Sequence, residues 1–175
     1  RDHLDFHGDM ETYASVKRKF FSDFKMQYAV INADDSYGKV WIDELKNKMP
    51  VFAYTQNINE NNQHATSSIS YIDVYHAQFD QTGITASLHT PWGDGVLHNS
   101  NLIGRFNLSN LLVTVAVLGI LDFSLQDILS GMTNLRGVPG RMETFGGVDK
   151  PLVVVDYAHT PDALEQVLLV LREYE

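Results

Sequence analysis

A run of β-branched residues that stops at a carboxylate and turns at once into a capped helix constrains this chain most. Val153-Val-Val-Asp156-Tyr-Ala-His159-Thr-Pro-Asp-Ala-Leu164 reads as strand, loop and helix in close succession. Thr160 suits an N-cap and Pro161 the first helical position, where its missing N–H costs nothing. Leu164, Val167, Leu168 and Leu171 then follow at helical spacing. A strand that runs into a helix N-terminus is where α/β proteins bind phosphorylated ligands. The unit is expected to lie near the end of a piece, with its packing partners further along a longer protein. Arg1 at one end and a half-finished amphipathic helix at the other are the expected marks of an internal piece of a larger protein.

Composition narrows the partners. The chain has 175 residues, 44% hydrophobic and 20% charged, with a net charge of −9. That supports a folded core and argues against nucleic acid or an anionic membrane surface as partner. A local anion site remains compatible with it. There is no cysteine, so disulfides, thiolate catalysis and Cys-ligated metal centres are excluded. No apolar run is long enough for a membrane span and no signal peptide is visible. The expected location is the cytoplasm.

The periodicity predicts a helix over residues 9 to 24 with Asp9 as N-cap, a strand over 26 to 32, a short helix near 36 to 46 and a strand over 50 to 54. A polar loop follows, from Gln56 to Ser68. Three strands are expected near 69–78, 83–90 and 95–103, with turn residues between them, giving an antiparallel patch on an α/β domain. Residues 107 to 119 predict a helix apolar nearly all round, hence buried. Ser124 caps a short helix that ends near Gly131. Arg136-Gly-Val-Pro-Gly140 is the candidate domain junction. Beyond it a hairpin should turn at Gly146-Gly147, before the 152–155 strand and the last helix. There is no internal repeat.

Several residues could carry chemistry. Lys17 lies on the stripe defined by Tyr13, Phe20, Phe21 and Phe24. Its stem can pack while the ammonium reaches water. Alternatively, a partly buried neutral amine could react with carbon dioxide to give a carbamate, an oxygen ligand for a metal. His3, with Asp2, Asp5 and His7, resembles a metal site, but its spacing fits no specific zinc motif and a solvated polar loop is the favoured reading. Asn107 suits an N-cap. Asn110, inside a helix read as buried, needs a partner, and a carboxamide matches the adjacent donor and acceptor of a heteroaromatic base. Arg141 suits phosphate or carboxylate, or a structural role after Gly140. Asp156 could accept bonds from ribose hydroxyls, and His159 precedes a helix N-terminus; capping roles compete for both. No Gly-x-x-x-x-Gly-Lys-Ser/Thr, Gly-x-Gly-x-x-Gly or Gly-x-Ser-x-Gly motif is present.

Taken in order, Asp2-His-Leu-Asp-Phe-His-Gly8, Tyr13-Ala-Ser-Val-Lys17, Asn32-Ala-Asp-Asp35, Gly104-Arg-Phe-Asn-Leu-Ser-Asn110, Gly140-Arg-Met-Glu143 and Asp156-Tyr-Ala-His-Thr-Pro-Asp-Ala-Leu164 resemble the Mur ligase family. The likeness runs through essentially the whole chain. It implies an α/β fold. Residues 1–137 would be the C-terminal part of a central ATP-binding domain, with a mixed sheet and an antiparallel strand patch. Residues 138–175 would open a Rossmann-like C-terminal ligase domain. The family's phosphate loop is expected upstream of Arg1, and the motif that reads the incoming amino acid downstream of Glu175.

The resemblance also implies roles. Lys17 is expected to be carbamylated and, with His3, to hold Mg2+. Asn107 and Asn110 are expected at the adenine of ATP, Arg141 and Asp156 at the ribose and phosphates, and His159 near the terminal phosphates. The implied reaction is ATP-dependent amide formation through an acyl phosphate. Its partners would be a UDP-MurNAc-dipeptide and a diamino acid, meso-diaminopimelate being favoured over lysine by overall similarity. Thr160-Pro161-Asp162 argues against cyanophycin and folylpolyglutamate synthetases. A non-catalytic nucleotide-binding module is the alternative from another class. The segment alone is expected to be inactive.

Overall fold

The computed structural model describes residues 8–57, 68–80, 82–147 and 149–172. Its first helix, α1 (Met10–Asp23), starts where Asp9 accepts a 2.7 Å bond from the Thr12 N–H. Strand β1 (Ala29–Asn32) leads into α2 (Ser36–Leu45), capped by Asp35, whose Oδ1 accepts from the Gly38 N–H at 3.0 Å. Gly38 is required there. A Cβ would fall 1.9 Å from the Asn32 carbonyl oxygen, because the helix crosses directly over the end of β1.

Strand β2 (Val51–Thr55) pairs in parallel with β1 and with β3 (Ile69–Asp80). Strands β4 (Gly83–Thr90) and β5 (Gly93–Asn99) then add antiparallel, giving the sheet order β1-β2-β3-β4-β5. The mixed sheet and its antiparallel patch match the sequence expectation. Helices α3 (Arg105–Ile120) and α4 (Leu125–Met132) follow. Strands β6 (Glu143–Gly147) and β7 (Lys150–Val155) form a separate antiparallel pair, and α5 (Pro161–Arg172) closes the described chain.

Side-chain alternation divides the core between the two sheet faces. On one face, Ala29, Ile31, Val51, Ala53 and Ile69 pack against Ile42 and Leu45 of α2. On the other, Ile72, Val74, Ile84, Leu88 and Leu97 meet Leu108, Leu112 and Val115 of α3 and Ile128 and Met132 of α4. A third, small cluster joins Ile103, Met142 and Val170. It is the packing that ties the β6–β7–α5 unit to the start of α3.

The structure corrects several boundaries. Strand β1 starts at Ala29 rather than 26, leaving Tyr28 exposed. Strand β5 covers 93–99 rather than 95–103, because Asn99 ends it. The fully buried Asn99 side chain accepts from the N–H groups of Asn101 and Leu102 and donates to the Met132 and Leu135 carbonyls. A satisfied carboxamide competes well with the ladder and bends the chain out of the sheet. The supposed stripe of α1 is also different. Ala14 is buried and Phe21 packs on Trp41, whereas Phe20 and Phe24 are exposed. Gly146 and Gly147, both at positive φ, lie in a bulge at the end of β6, and the hairpin turns just after them, with Gly147 opposite Lys150.

Candidate functional site

The N-terminus of α3 meets the β6–β7–α5 unit across a cavity of about 740 Å3. That is within the usual range for a small-molecule pocket. Asn107, Asn110, Arg141 and Asp156 all line it, beside Val138, Val167 and Val170. Four residues drawn from widely separated sequence positions thus share one cleft, two from α3 and two from the unit that follows it.

Each is held for a local reason. Helix α3 begins two residues earlier than expected, with Gly104 as N-cap at φ +84°. Asn107 is therefore not the N-cap. It lies in the first turn, and its Nδ2 donates to the Ile103 carbonyl at 2.8 Å. Nor is α3 buried all round. Phe106, Asn110 and Val117 are exposed along one side, the first two facing the cavity. Asn110 is thus not a buried amide in need of an internal partner. Its side-chain carboxamide makes no hydrogen bond among the described residues.

Asp156 follows the last residue of β7. Its Oδ2 accepts from the Met142 N–H at 2.9 Å and its Oδ1 from the Ala158 N–H at 2.8 Å. The carboxylate staples the start of β6 to the loop before α5, and each oxygen keeps a second lone pair free. Arg141 stands with its guanidinium 4.9 Å from the centre of the Tyr157 ring, a cation–π geometry that holds it at the cleft. The junction loop is tight. The Arg141 N–H donates to the Val138 carbonyl, and the Gly140 N–H to Glu143 Oε2.

His159 is exposed and does not line the cavity. Its Nδ1 lies 2.9 Å from the Tyr157 carbonyl, and the two rings meet edge to face at 5.0 Å. Thr160 Oγ1 accepts from the Ala163 N–H at 3.3 Å, as expected of an N-cap. Lys17 lies far from this cleft in sequence, exposed on α1, with its Nζ 5.4 Å from the centre of the Tyr13 ring. His3 lies outside the described residues, so its pairing with Lys17 has no geometry here. Among the described residues no group of three or more His, Asp or Glu side chains could hold a metal ion.

Sequence reasoning missed the support behind α3. Asp34, just past β1, accepts from Thr55 Oγ1, from the Gln56 N–H at 2.8 Å and from Asn57 Nδ2 at 2.6 Å. Gln56 Nε2 in turn donates to the Arg105 carbonyl at 2.8 Å. The Arg105 guanidinium lies 4.9 Å from the centre of the Phe79 ring on β3. Nothing in a polar Gln56–Asn57 pair at a strand end marks it as a contact to a helix about fifty positions away.

Residues 1–118 match the family model of the Mur ligase middle domain, and residues 140–175 that of the Mur ligase, glutamate ligase domain. The chain belongs to the Mur ligase family. Among its curated relatives are the UDP-N-acetylmuramoyl-L-alanyl-D-glutamate–2,6-diaminopimelate ligases of Pseudomonas syringae pv. tomato, 47% identical, and Haemophilus influenzae, 40% identical, both over 174 residues. The match takes in 99% of this chain and 34% of each relative, so the chain spans about a third of their length. A solved structure of a ligase of the same name superposes with a TM-score of 0.74 at 33% identity, covering 99% of this chain and 34% of that one. MurF from Acinetobacter baumannii superposes at 0.79 with 19% identity, covering 99% and 35%, which is a likeness of fold alone. No helix among the described residues is long and apolar enough to cross a membrane.

Proposed function

We propose that this chain is part of a cytoplasmic ATP-dependent amide ligase that adds meso-diaminopimelate to UDP-MurNAc-L-Ala-D-Glu during peptidoglycan synthesis. Residues 1–137 would belong to its central ATP-binding domain and 138–175 to the start of its ligase domain. One observation carries the reading: Asn107, Asn110, Arg141 and Asp156 converge on a single cleft between two packing units. The names of relatives at 40–47% identity supply the substrate class.

The donor set suits an adenine nucleotide. Carboxamides of Asn107 and Asn110 can pair with the base edge, and the apolar wall of Val138, Val167 and Val170 can cover its faces. Asp156 has lone pairs left for ribose hydroxyls, and Arg141 a charge for phosphate. In the reaction, the free side-chain carboxylate of the D-glutamate attacks the γ-phosphorus and ADP leaves. The amine of the diamino acid then attacks the acyl carbon, expelling phosphate and losing a proton. Positioning and charge neutralisation carry such chemistry.

Magnesium is the metal proposed for the intact protein, with His3 and carbamylated Lys17 among its ligands, and it would neutralise phosphate charge. The described residues alone do not make that centre, although the exposed Lys17 amine is accessible to carbon dioxide. His159 is proposed to act near the terminal phosphates, where the N-terminus of α5 favours anions.

The test is the intact native polypeptide that carries this chain. With ATP, UDP-MurNAc-L-Ala-D-Glu and meso-diaminopimelate it should release ADP and phosphate and form the tripeptide. Asn110→Ala should weaken ADP binding about tenfold. Lys17→Ala should abolish turnover, with partial return on adding short carboxylic acids. Turnover with lysine alone would move the substrate assignment, and full activity of the Lys17 variant would remove the carbamate.

A further inference from the structure

We infer that Gln56, clamped by Asp34, is a positioning residue for the nucleotide: it fixes the first turn of α3 and so aims Asn107 and Asn110 into the cleft. The inference rests on the nucleotide reading of that cleft and adds to it a residue that touches no ligand.

The geometry is a short relay. The Asp34 carboxylate takes donors from Thr55, Gln56 and Asn57, all at the C-terminal end of β2. Three bonds to one carboxylate fix the Thr55 and Asn57 side chains and the Gln56 backbone, and charge-assisted bonds are stronger than neutral ones. Asp34 is itself held, since its N–H donates to Asn32 Oδ1 at 2.8 Å and the neighbouring Ala33 N–H to the Tyr54 carbonyl at 2.9 Å. Gln56 then reaches across to the Arg105 carbonyl. A carbonyl can only accept, so the amide must present Nε2 to it, and the orientation of the side chain follows.

Arg105 is the first residue of α3, two positions before Asn107 and five before Asn110. The helix has no side-chain cap at that end, since Gly104 is its N-cap. What fixes the entry of α3 is therefore tertiary. Gln56 holds the Arg105 carbonyl, Phe79 faces the Arg105 guanidinium, and Gly104 sits against Val170. The Gln56 contact comes from the end of β2, just past Thr55. It couples the sheet to the cleft wall, and a helix rotated by a fraction of a turn would carry both carboxamides off the base edge.

The experiment uses the intact native polypeptide, reading ADP affinity by calorimetry and separate KM values for ATP, dipeptide and diamino acid. Gln56→Leu keeps the volume and removes the donor. It should weaken ADP and raise KM for ATP by roughly fivefold, the scale of one lost hydrogen bond, with the other two KM values within twofold. Gln56→Glu supplies a second readout. Its carboxylate repels the Arg105 carbonyl, and only the protonated acid can donate to it, so the ADP deficit relative to wild type should shrink as pH falls from about 6.5 toward 4.5, through the carboxylate range. Should Gln56→Leu fail to fold, the Glu variant still decides. An unchanged ADP affinity in both variants, or an equal rise in all three KM values, overturns the positioning role while leaving the ligase reading intact. A wild-type protein that binds no ADP removes both.

Discussion

Gly104 lies so close to Val170 that a Cβ on the glycine would fall 2.6 Å from Val170 Cγ1. The contact joins the N-terminus of α3 to the last helix, and it occurs at φ +84° and ψ 158°, a backbone region essentially reserved for glycine. Gly104→Ala therefore meets strain and overlap together. It should destabilise the protein by about 2–4 kcal/mol. Adding Val170→Ala should relieve the overlap but not the backbone strain, so the double variant stays less stable than Val170→Ala alone. Urea unfolding of the set measures this, and a double variant equal to Val170→Ala would show that the backbone is not strained.

Asp156→Asn should weaken both fold and ligand binding. The Met142 and Ala158 N–H groups each need an acceptor, and an amide offers one oxygen and one NH2. One N–H is then left facing another donor, at a cost of about 1–3 kcal/mol. Denaturant midpoints should fall, and ADP should bind more weakly in the intact protein. Unchanged stability would mean that the staple contributes nothing.

Asn99→Leu tests the buried knot at the end of β5. The side chain uses both N–H donors and accepts twice, with no solvent exposure. Its loss strands the Met132 and Leu135 carbonyls and the Asn101 and Leu102 N–H groups, costing about 3–5 kcal/mol. Thermal unfolding should shift down by many degrees. A variant as stable as wild type would contradict the assignment of those partners.

Acid should fray α1 from its start. The Thr12 N–H holds the Asp9 carboxyl below its ordinary value, with the Thr12 hydroxyl adding to it. A lowered folded-state pKa means that the cap stabilises the helix above the ordinary carboxylate pKa. That contribution is lost as pH falls through the folded value, in the region below about pH 4. Asp80, held low by Thr82 at the β3–β4 turn, has the same sign. Protection factors for amide exchange at residues 10–13, with the intrinsic pH dependence removed, should fall from pH 6 to pH 3 more in the wild type than in Asp9→Ala; an equal fall would dismiss the cap.

What the sequence disclosed depended on how local the cause was. The caps at Asp9, Ser124 and Thr160 are decided within three residues, and all three are observed. The antiparallel patch was readable from turn residues flanking β4. The start of α3 was not, because its cap is a glycine with no side chain to recognise, and what secures it comes from Gln56 and Val170. The exposure of Phe20 and Phe24 was also hidden, since periodicity reports that a face is apolar and not what covers it. The cleft residues were singled out by their chemistry, and the resemblance gave them expected nucleotide roles. Their convergence depends on the Ile103–Met142–Val170 cluster, a contact between segments far apart in sequence.

Because the cleft has one wall on α3 and the other on the β6–β7–α5 unit, whatever occupies it also sets the spacing between them. On the proposed reading, a nucleotide there would touch both walls at once. A flat hydrophobic compound seated against Val138, Val167 and Val170 but too bulky for Asn107 to approach Asp156 across it would act as a doorstop. If the cleft is the nucleotide site proposed above, such a molecule would compete by its thickness rather than by hydrogen-bonding resemblance to ATP.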